Sequence, residues 1–245
     1  MENKTAPLEV KNIQKSFAGR VVLDNVSISL KNGEIFGLVG LNGIGKTTLI
    51  KIILDLLKAD GGEVALFGQA ATHESARQNL SYLPEKFQPS RYLKGKEYLA
   101  QALSFYKKEY ADDAARTGAE GLDLNPDALP NMVKSYSKGM GQKLGLLGAL
   151  LVDAPLLLLD EPMSGLDPRA RIFLKNRLLE QKELGKTIFF SSHILADIEE
   201  ICDRIGILHN GKLIFCGTPA DFMQTHTAPS LERAFLKAIE VPLVA

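Results

Sequence analysis

The 245-residue chain has no surplus charge of either sign: 29 lysines and arginines stand against 29 aspartates and glutamates. Without excess positive charge, nothing supports a nucleic-acid binder held by bulk electrostatics. Cysteine is nearly missing. Cys202 and Cys216 are spaced for neither a zinc knuckle nor a redox pair, and isolated thiols suit a reducing compartment as small core residues. No apolar run reaches the roughly 20 residues needed to cross a bilayer; the nearest, LGLLGALLVDAPLLLL, is cut by Asp153 and Pro155. The opening MENKTAPLEV lacks the apolar stretch of a secretory leader. No repeat, low-complexity tract or flexible linker is legible. These absences predict a cytosolic globular chain that meets a membrane only through a partner.

What is present is an ordered alternation of strand and helix signals. LEVKNIQKSF and VLDNVSISL nearly alternate apolar with polar residues, predicting half-exposed antiparallel strands. KNGEIFGLVG puts an Asn-Gly turn before a short apolar strand, and LIKIILDLLK follows with helical periodicity. ADGGEVALFG and NLSYLP predict further strands. From about residue 86 to 145 the pattern is helical, through KEYLAQALSFYKKEY and DDAARTGAEGL. LLLLLD, KTIFFSS and RIGILHNGKLIFCG then supply apolar strands, the last broken by an Asn-Gly hairpin turn. Apolar strands separated by helices predict an α/β fold with a mainly parallel sheet covered on both faces.

Between one such strand and helix lies GLNGIGKTT, Gly40 to Thr48. It fulfils the G-x-x-x-x-G-K-[ST] pattern of a phosphate loop. Gly40, Gly43 and Gly45 let successive backbone N–H groups converge on one phosphate chain, and the following helix adds its positive end. Lys46 is placed to reach the β and γ phosphates and the Thr47 hydroxyl to ligate magnesium, with Asn42 and Thr48 in the same loop. The reading is a nucleoside triphosphate site. Farther on, LLLLLDEP ends an apolar strand with Asp160 and Glu161, where open α/β sheets place their ligands. Asp160 suits a magnesium ligand; Glu161 suits polarising a water for in-line attack. SYSKGMGQK, residues 135–143, reads either as a plain capped helix start or as half of a phosphate site completed elsewhere.

In this order the motifs resemble those of the ATP-binding subunits of ATP-binding cassette (ABC) transporters. GLNGIGKTT is similar to Walker A, LLLLDE to Walker B, SGLD (Ser164 to Asp167) to the D-loop, SSH ending at His193 to the switch histidine, and YSKGM (Tyr136 to Met140) to the signature. The resemblance implies a single ATPase domain over residues 1–220. It comprises an N-terminal antiparallel β subdomain and phosphate-loop core (about 1–85 and 146–220), with a helical subdomain inserted at about 86–145; a short helical tail follows over 221–245. It implies ATP and Mg2+ as cofactors, with the metal held by Thr47, Asp160 and Glu85. Phe17 would stack on adenine, His193 would orient Glu161, and Ser137, Gly139 and Asp167 would act at the ATP of a second copy. The implied partners are that second copy, in a homodimer with two shared sites, and a multi-spanning permease, with no direct nucleic acid. The implied place is the cytoplasmic face of the membrane.

Departures from the pattern matter. Lys138 and Met140 replace the usual glycine and glutamine of the signature, and Glu85 stands where a glutamine usually follows the proline of YLPEKF. Lys138 either adds charge near the trans phosphate or points to solvent. Glu85 is expected to keep the sensing role. FQPSRYLKGKEYL would face a coupling helix of the permease. The lack of a long C-terminal regulatory domain, YLPE, YSKGM, SSHILADIEEICDRIGILHNGKL and SLERAFLKAIE resemble the branch that exports drugs, polysaccharides or lipids. The alternatives are an ABC ATPase outside transport and a nucleotide-dependent regulatory switch.

Overall fold

Whether a strand alternates or is apolar throughout decides which sheet it joins. In chain order, the computed structural model forms β1 (Leu8–Phe17), β2 (Arg20–Ser29), β3 (Ile35–Val39), α1 (Lys46–Ile53), β4 (Gly61–Leu66), β5 (Gln69–Ala70), α2 (Glu74–Arg77) and β6 (Leu80–Leu83). There follow α3 (Gly95–Ser104), α4 (Asp112–Glu120), α5 (Lys138–Leu151), β7 (Leu156–Asp160), α6 (Pro168–Glu183), β8 (Thr187–Ser192) and α7 (Leu195–Ile201). The chain ends in β9 (Arg204–His209), β10 (Lys212–Gly217), α8 (Pro219–Thr225) and α9 (Leu231–Glu240). The structure describes residues 5–240; residues 1–4 and 241–245, the ends of the expected domain and tail, lie outside it. Packing divides the chain into two compact units, one running to Arg77 and resuming at Thr187, the other Gln78–Lys186. The helical stretch expected at 86–145 lies within the second unit.

The first unit contains both kinds of sheet. β1 and β2 pair antiparallel in an order β2-β1-β4-β5. Their alternation slips where β1 takes an extra residue: Asn12 sits at φ 52 between the buried Val10 and Ile13, and the register shifts there. The Asn12 N–H donates to the Ser27 hydroxyl at 2.8 Å, a bulge that restores the apolar face. β3 and β8 are buried at every residue and run parallel, with Phe36 stacked on Phe189 at 5.7 Å. β9 lies parallel on the other side of β3, and β10 closes on β9 through Asn210 and Gly211. Both turn residues have positive φ, 48 and 77, as a two-residue type I′ hairpin requires.

In the second unit β6 and β7 pair in parallel beside the helices. The KEYLAQALSFYKKEY stretch is shorter as a helix than its periodicity predicts: α3 stops at Ser104 and Lys107 turns to φ 56. The cause is tertiary. The Tyr106 hydroxyl donates to the Leu80 carbonyl at 3.0 Å, and Tyr106 and Tyr110 pack over Leu103, Val152 and Ala154. α5 is the buried axis of this unit. Its Gly145 faces Phe87 and Leu83, and a Cβ there would stand 2.6 Å from the Phe87 ring and 2.8 Å from the Leu83 side chain.

Four residues earlier in α5, a Cβ on Gly141 would meet nothing within 4 Å. The same substitution therefore has opposite effects in one helix. Gly141→Ala raises stability by about 1 kcal/mol through helix propensity. Gly145→Ala lowers it by about 1 kcal/mol net, since overpacking outweighs that gain. Urea unfolding of the two variants checks the sign.

Candidate functional site

In the first unit, the parallel register sets Val39 beside Ser192. Gly40 and His193, one residue on, therefore leave neighbouring strands at the same edge. The loop from Gly40 is tightly held: a Cβ on Gly40 would stand 2.7 Å from the Leu208 carbonyl oxygen. Gly45, at φ 116, caps α1 against the Val22 backbone, a conformation other residues reach only under strain. Lys46 is buried, and its Nζ donates to the Gly40 carbonyl at 2.8 Å and the Leu41 carbonyl at 3.4 Å. No acid stands in the first turn of α1, so nothing cancels the positive pole of its dipole. Such a loop presents N–H groups and an ammonium to one anion. Asn42 and Gly43 are exposed, and Thr47 and Thr48 half-buried. His193 is exposed; the Ser192 hydroxyl accepts from the Ile194 N–H at 3.0 Å and shapes the turn that carries it. Phe17 ends β1 opposite Arg20, 45% exposed, with the Lys15 ammonium 5.4 Å from its ring centre. A ring this open can accept a flat partner.

In the second unit, Leu83 stands beside Leu159, which brings Glu85 and Asp160 out at one strand edge. Asp160 is fully buried and Glu161 is 6% exposed. Glu161 holds φ 50, a left-handed conformation that costs a side chain about 1–2 kcal/mol. Its carbonyl accepts from the Ser164 N–H at 3.0 Å, which helps to hold the turn. Glu85 is exposed. Burial first, then the charges of Asp160 and Glu85, push the half-buried Tyr82 phenol up to about 12; both carboxylates thus act on one neighbourhood.

α5 begins at Ser137, whose hydroxyl accepts from the Met140 N–H at 3.2 Å. Its first turn holds no acid. A Cβ on Gly139 would stand 3.4 Å from the Gly165 carbonyl oxygen, and the Lys138 stem lies over Gly165. The turn Ser164–Asp167 therefore packs on the start of α5. Asp167 caps α6, accepting from the Ala170 N–H at 2.9 Å. That hydrogen bond first, and the Lys143 charge next among side chains, hold its carboxyl below the usual range. One residue went unremarked in the sequence: the buried Gln142 donates from Nε2 to the Pro162 carbonyl at 3.3 Å and ties α5 to the turn after Glu161. Its signal was an amide beside an otherwise apolar run. Of the aromatics in FQPSRYLKGKEYL, Phe87 and Tyr98 pack on each other edge to face at 5.3 Å, while Tyr92 is 85% exposed.

Among the described residues no group of three or more His, Cys, Asp or Glu forms a metal cage. The Thr47 hydroxyl and the Asp160 and Glu85 carboxylates are hard oxygen donors. A few such donors fit magnesium, which keeps waters and phosphate oxygens as its remaining ligands. Among the described residues no helix is long and apolar enough to cross a membrane.

Residues 23–164 match the family model described as ABC transporter. The ABC transporter ATP-binding protein all4389 of Nostoc sp. is 42% identical over 202 residues, 81% of this chain and 60% of the relative. The chain thus spans about 60% of the length of that curated relative. The Nod factor export ATP-binding protein I of Burkholderia orbicola is 34% identical over 87% of this chain and 71% of its own. A solved structure of the ATP-binding subunit of an ABC transporter superposes with a TM-score of 0.86, at 33% identity, over 94% of this chain and 98% of that one. With its loops, caps and carboxylates in that family's order, the chain belongs to the ATP-binding subunits of ABC transporters, a family of ATPases.

Proposed function

We propose that this chain hydrolyses ATP to drive a membrane permease, as an exporter, through closure of a dimer of two copies. The observation that carries the hydrolytic reading is Glu161, buried at φ 50 directly after the buried Asp160. Backbone strain at a carboxylate is retained where geometry serves chemistry. The phosphate loop binds the triphosphate, Lys46 leaving the Gly40 carbonyl for the β and γ oxygens, while Phe17 stacks on adenine. Magnesium, when bound, withdraws charge from the phosphate oxygens; Thr47, Asp160 and Glu85 hold it. Glu161 orients the attacking water and takes its proton, and His193 fixes Glu161 against the γ phosphate. Asn42, Gly43, Gly45 and Thr48 complete the loop's contacts.

Ser137 and Gly139 add N–H and hydroxyl groups to the γ phosphate held by the second copy, and Asp167 meets that copy at the same seam. Each chain holds half of each site, so ATP binds the dimer together and its hydrolysis releases it. The segment after Glu85 docks the permease on the cytoplasmic face of the membrane. Likeness to a Nod factor export subunit supports outward transport.

Glu161→Gln keeps the shape and removes the base. Turnover should fall by about 10²–10⁴, while ATP now holds the variant as a dimer in gel filtration. Near wild-type turnover would remove Glu161 from the chemistry. Glu85→Gln removes a negative charge from beside the nucleotide. Its affinity for ATP in the presence of a chelator should rise relative to that with magnesium, read by titration with a fluorescent ATP analogue. An unchanged ratio would place Glu85 away from the metal.

A further inference from the structure

The segment that follows Glu85 borders a groove of about 1070 Å³ in the second unit, reaching the start of α5. Its walls carry Lys86, Arg91, Lys134 and Lys138, with Glu85 as the one carboxylate among the lining residues. All four cations are exposed, and among the described residues none of them makes an ion pair. Elsewhere in the unit, cations are matched: Lys143 and Arg169 meet Asp123, and Arg116 meets Asp127. In a chain whose charges balance overall, an unmatched cluster of four is a local concentration of positive potential.

The walls are held by backbone. The Lys134 N–H donates to the Arg91 carbonyl at 3.2 Å and the Val133 N–H to the Leu93 carbonyl at 2.8 Å, setting two chain runs side by side. Beneath them the Tyr136 hydroxyl donates to the Ala128 carbonyl at 2.7 Å and fills the space a Cβ on Gly95 would need, 2.3 Å away. Lys138 stands at the first position of α5, where a cation opposes the helix dipole. A charge kept against its own helix fits a site that receives negative charge.

We infer that this groove receives an acidic amphipathic segment of the permease, its carboxylates meeting Lys86, Arg91, Lys134 and Lys138 and an apolar side lying on Tyr92. The inference rests on the permease reading above and adds the chemistry of the partner. Size agrees: two turns of helix about 11 Å across and about 11 Å long occupy on the order of 1000 Å³. The exposed Tyr92, 85% accessible at the rim, favours a protein segment over a bare phosphate chain, because an aromatic anchor needs an apolar counterpart.

The test uses the full chain, tagged in its native cell and purified with gently solubilised membranes. The double variant Arg91→Glu with Lys134→Glu is compared with Arg91→Lys with Lys134→Arg, which keeps the charge, and ATP turnover of each purified chain checks folding. The expected result is a stoichiometric multi-spanning membrane protein with the wild type and the charge-keeping variant, and a loss of about tenfold or more with the reversed one. Reversing acids to lysines in the permease's cytoplasmic segment should restore it. If the reversed variant retains the permease as the wild type does, the acidic-segment inference fails and the permease reading stands. If the wild type brings down no membrane protein, that reading itself fails. Flotation of the wild-type chain with phosphatidylglycerol vesicles, abolished in the reversed variant, would assign the groove to lipid head groups and overturn the inference.

Discussion

Parallel pairing places the carboxyl ends of strands on one side, and the site of this protein depends on that constraint. Val39 stands beside Ser192 and Leu83 beside Leu159, so the phosphate loop emerges with His193 and Glu85 with Asp160. Those strands are apolar because both faces are covered: β3, β7 and β8 are buried at every residue. Burial also fixes register, since a slip of one residue would exchange every side chain between faces. The chemistry therefore sits on loops whose starting points the core does not allow to move.

Those loops break local rules at identifiable places. Lys46 and Asp160 are charged yet buried, an expense that proteins retain where a charge has work to do. Glu161 and Gly45 hold positive φ, but only Glu161 has a side chain to strain. Ser137 and Asp167 each cap a helix and yet belong to the proposed seam between two copies. Capping and phosphate contact are compatible, because both present polar groups at a helix start. Gln142 links the start of α5 to the turn after Glu161, which gives the signature and the hydrolytic carboxylate one common support.

Much of this was legible in residue order. The phosphate loop declares itself because only glycines can make the Gly40 and Gly45 approaches and because a strand and a helix flank it. LLLLD reads as a fully buried strand by its composition alone, and Asn210-Gly211 as a hairpin by its turn chemistry. Other features were not legible because they are tertiary. Nothing local in LSFYKKEY announces that the helix stops at Ser104; the Tyr106 hydroxyl reaching Leu80 is a contact across 26 positions. The bulge at Asn12 hides in near-alternation. Phe87 and Tyr98 look like surface anchors in sequence but pack on each other. The left-handed Glu161 has no signature in composition, since the strain is imposed by the turn around it.

The central claim is that each ATP site is built from two copies, the phosphate loop of one and the Ser137 helix of the other. It is tested by mixing two inactive chains, one carrying Lys46→Ala and the other Ser137→Arg, and measuring ATP turnover. In a mixed two-fold dimer both defects fall in one site and the other is intact, so an equimolar mixture should recover up to about a quarter of wild-type turnover. A mixture as inactive as either chain alone would place the whole site within one chain and contradict the account.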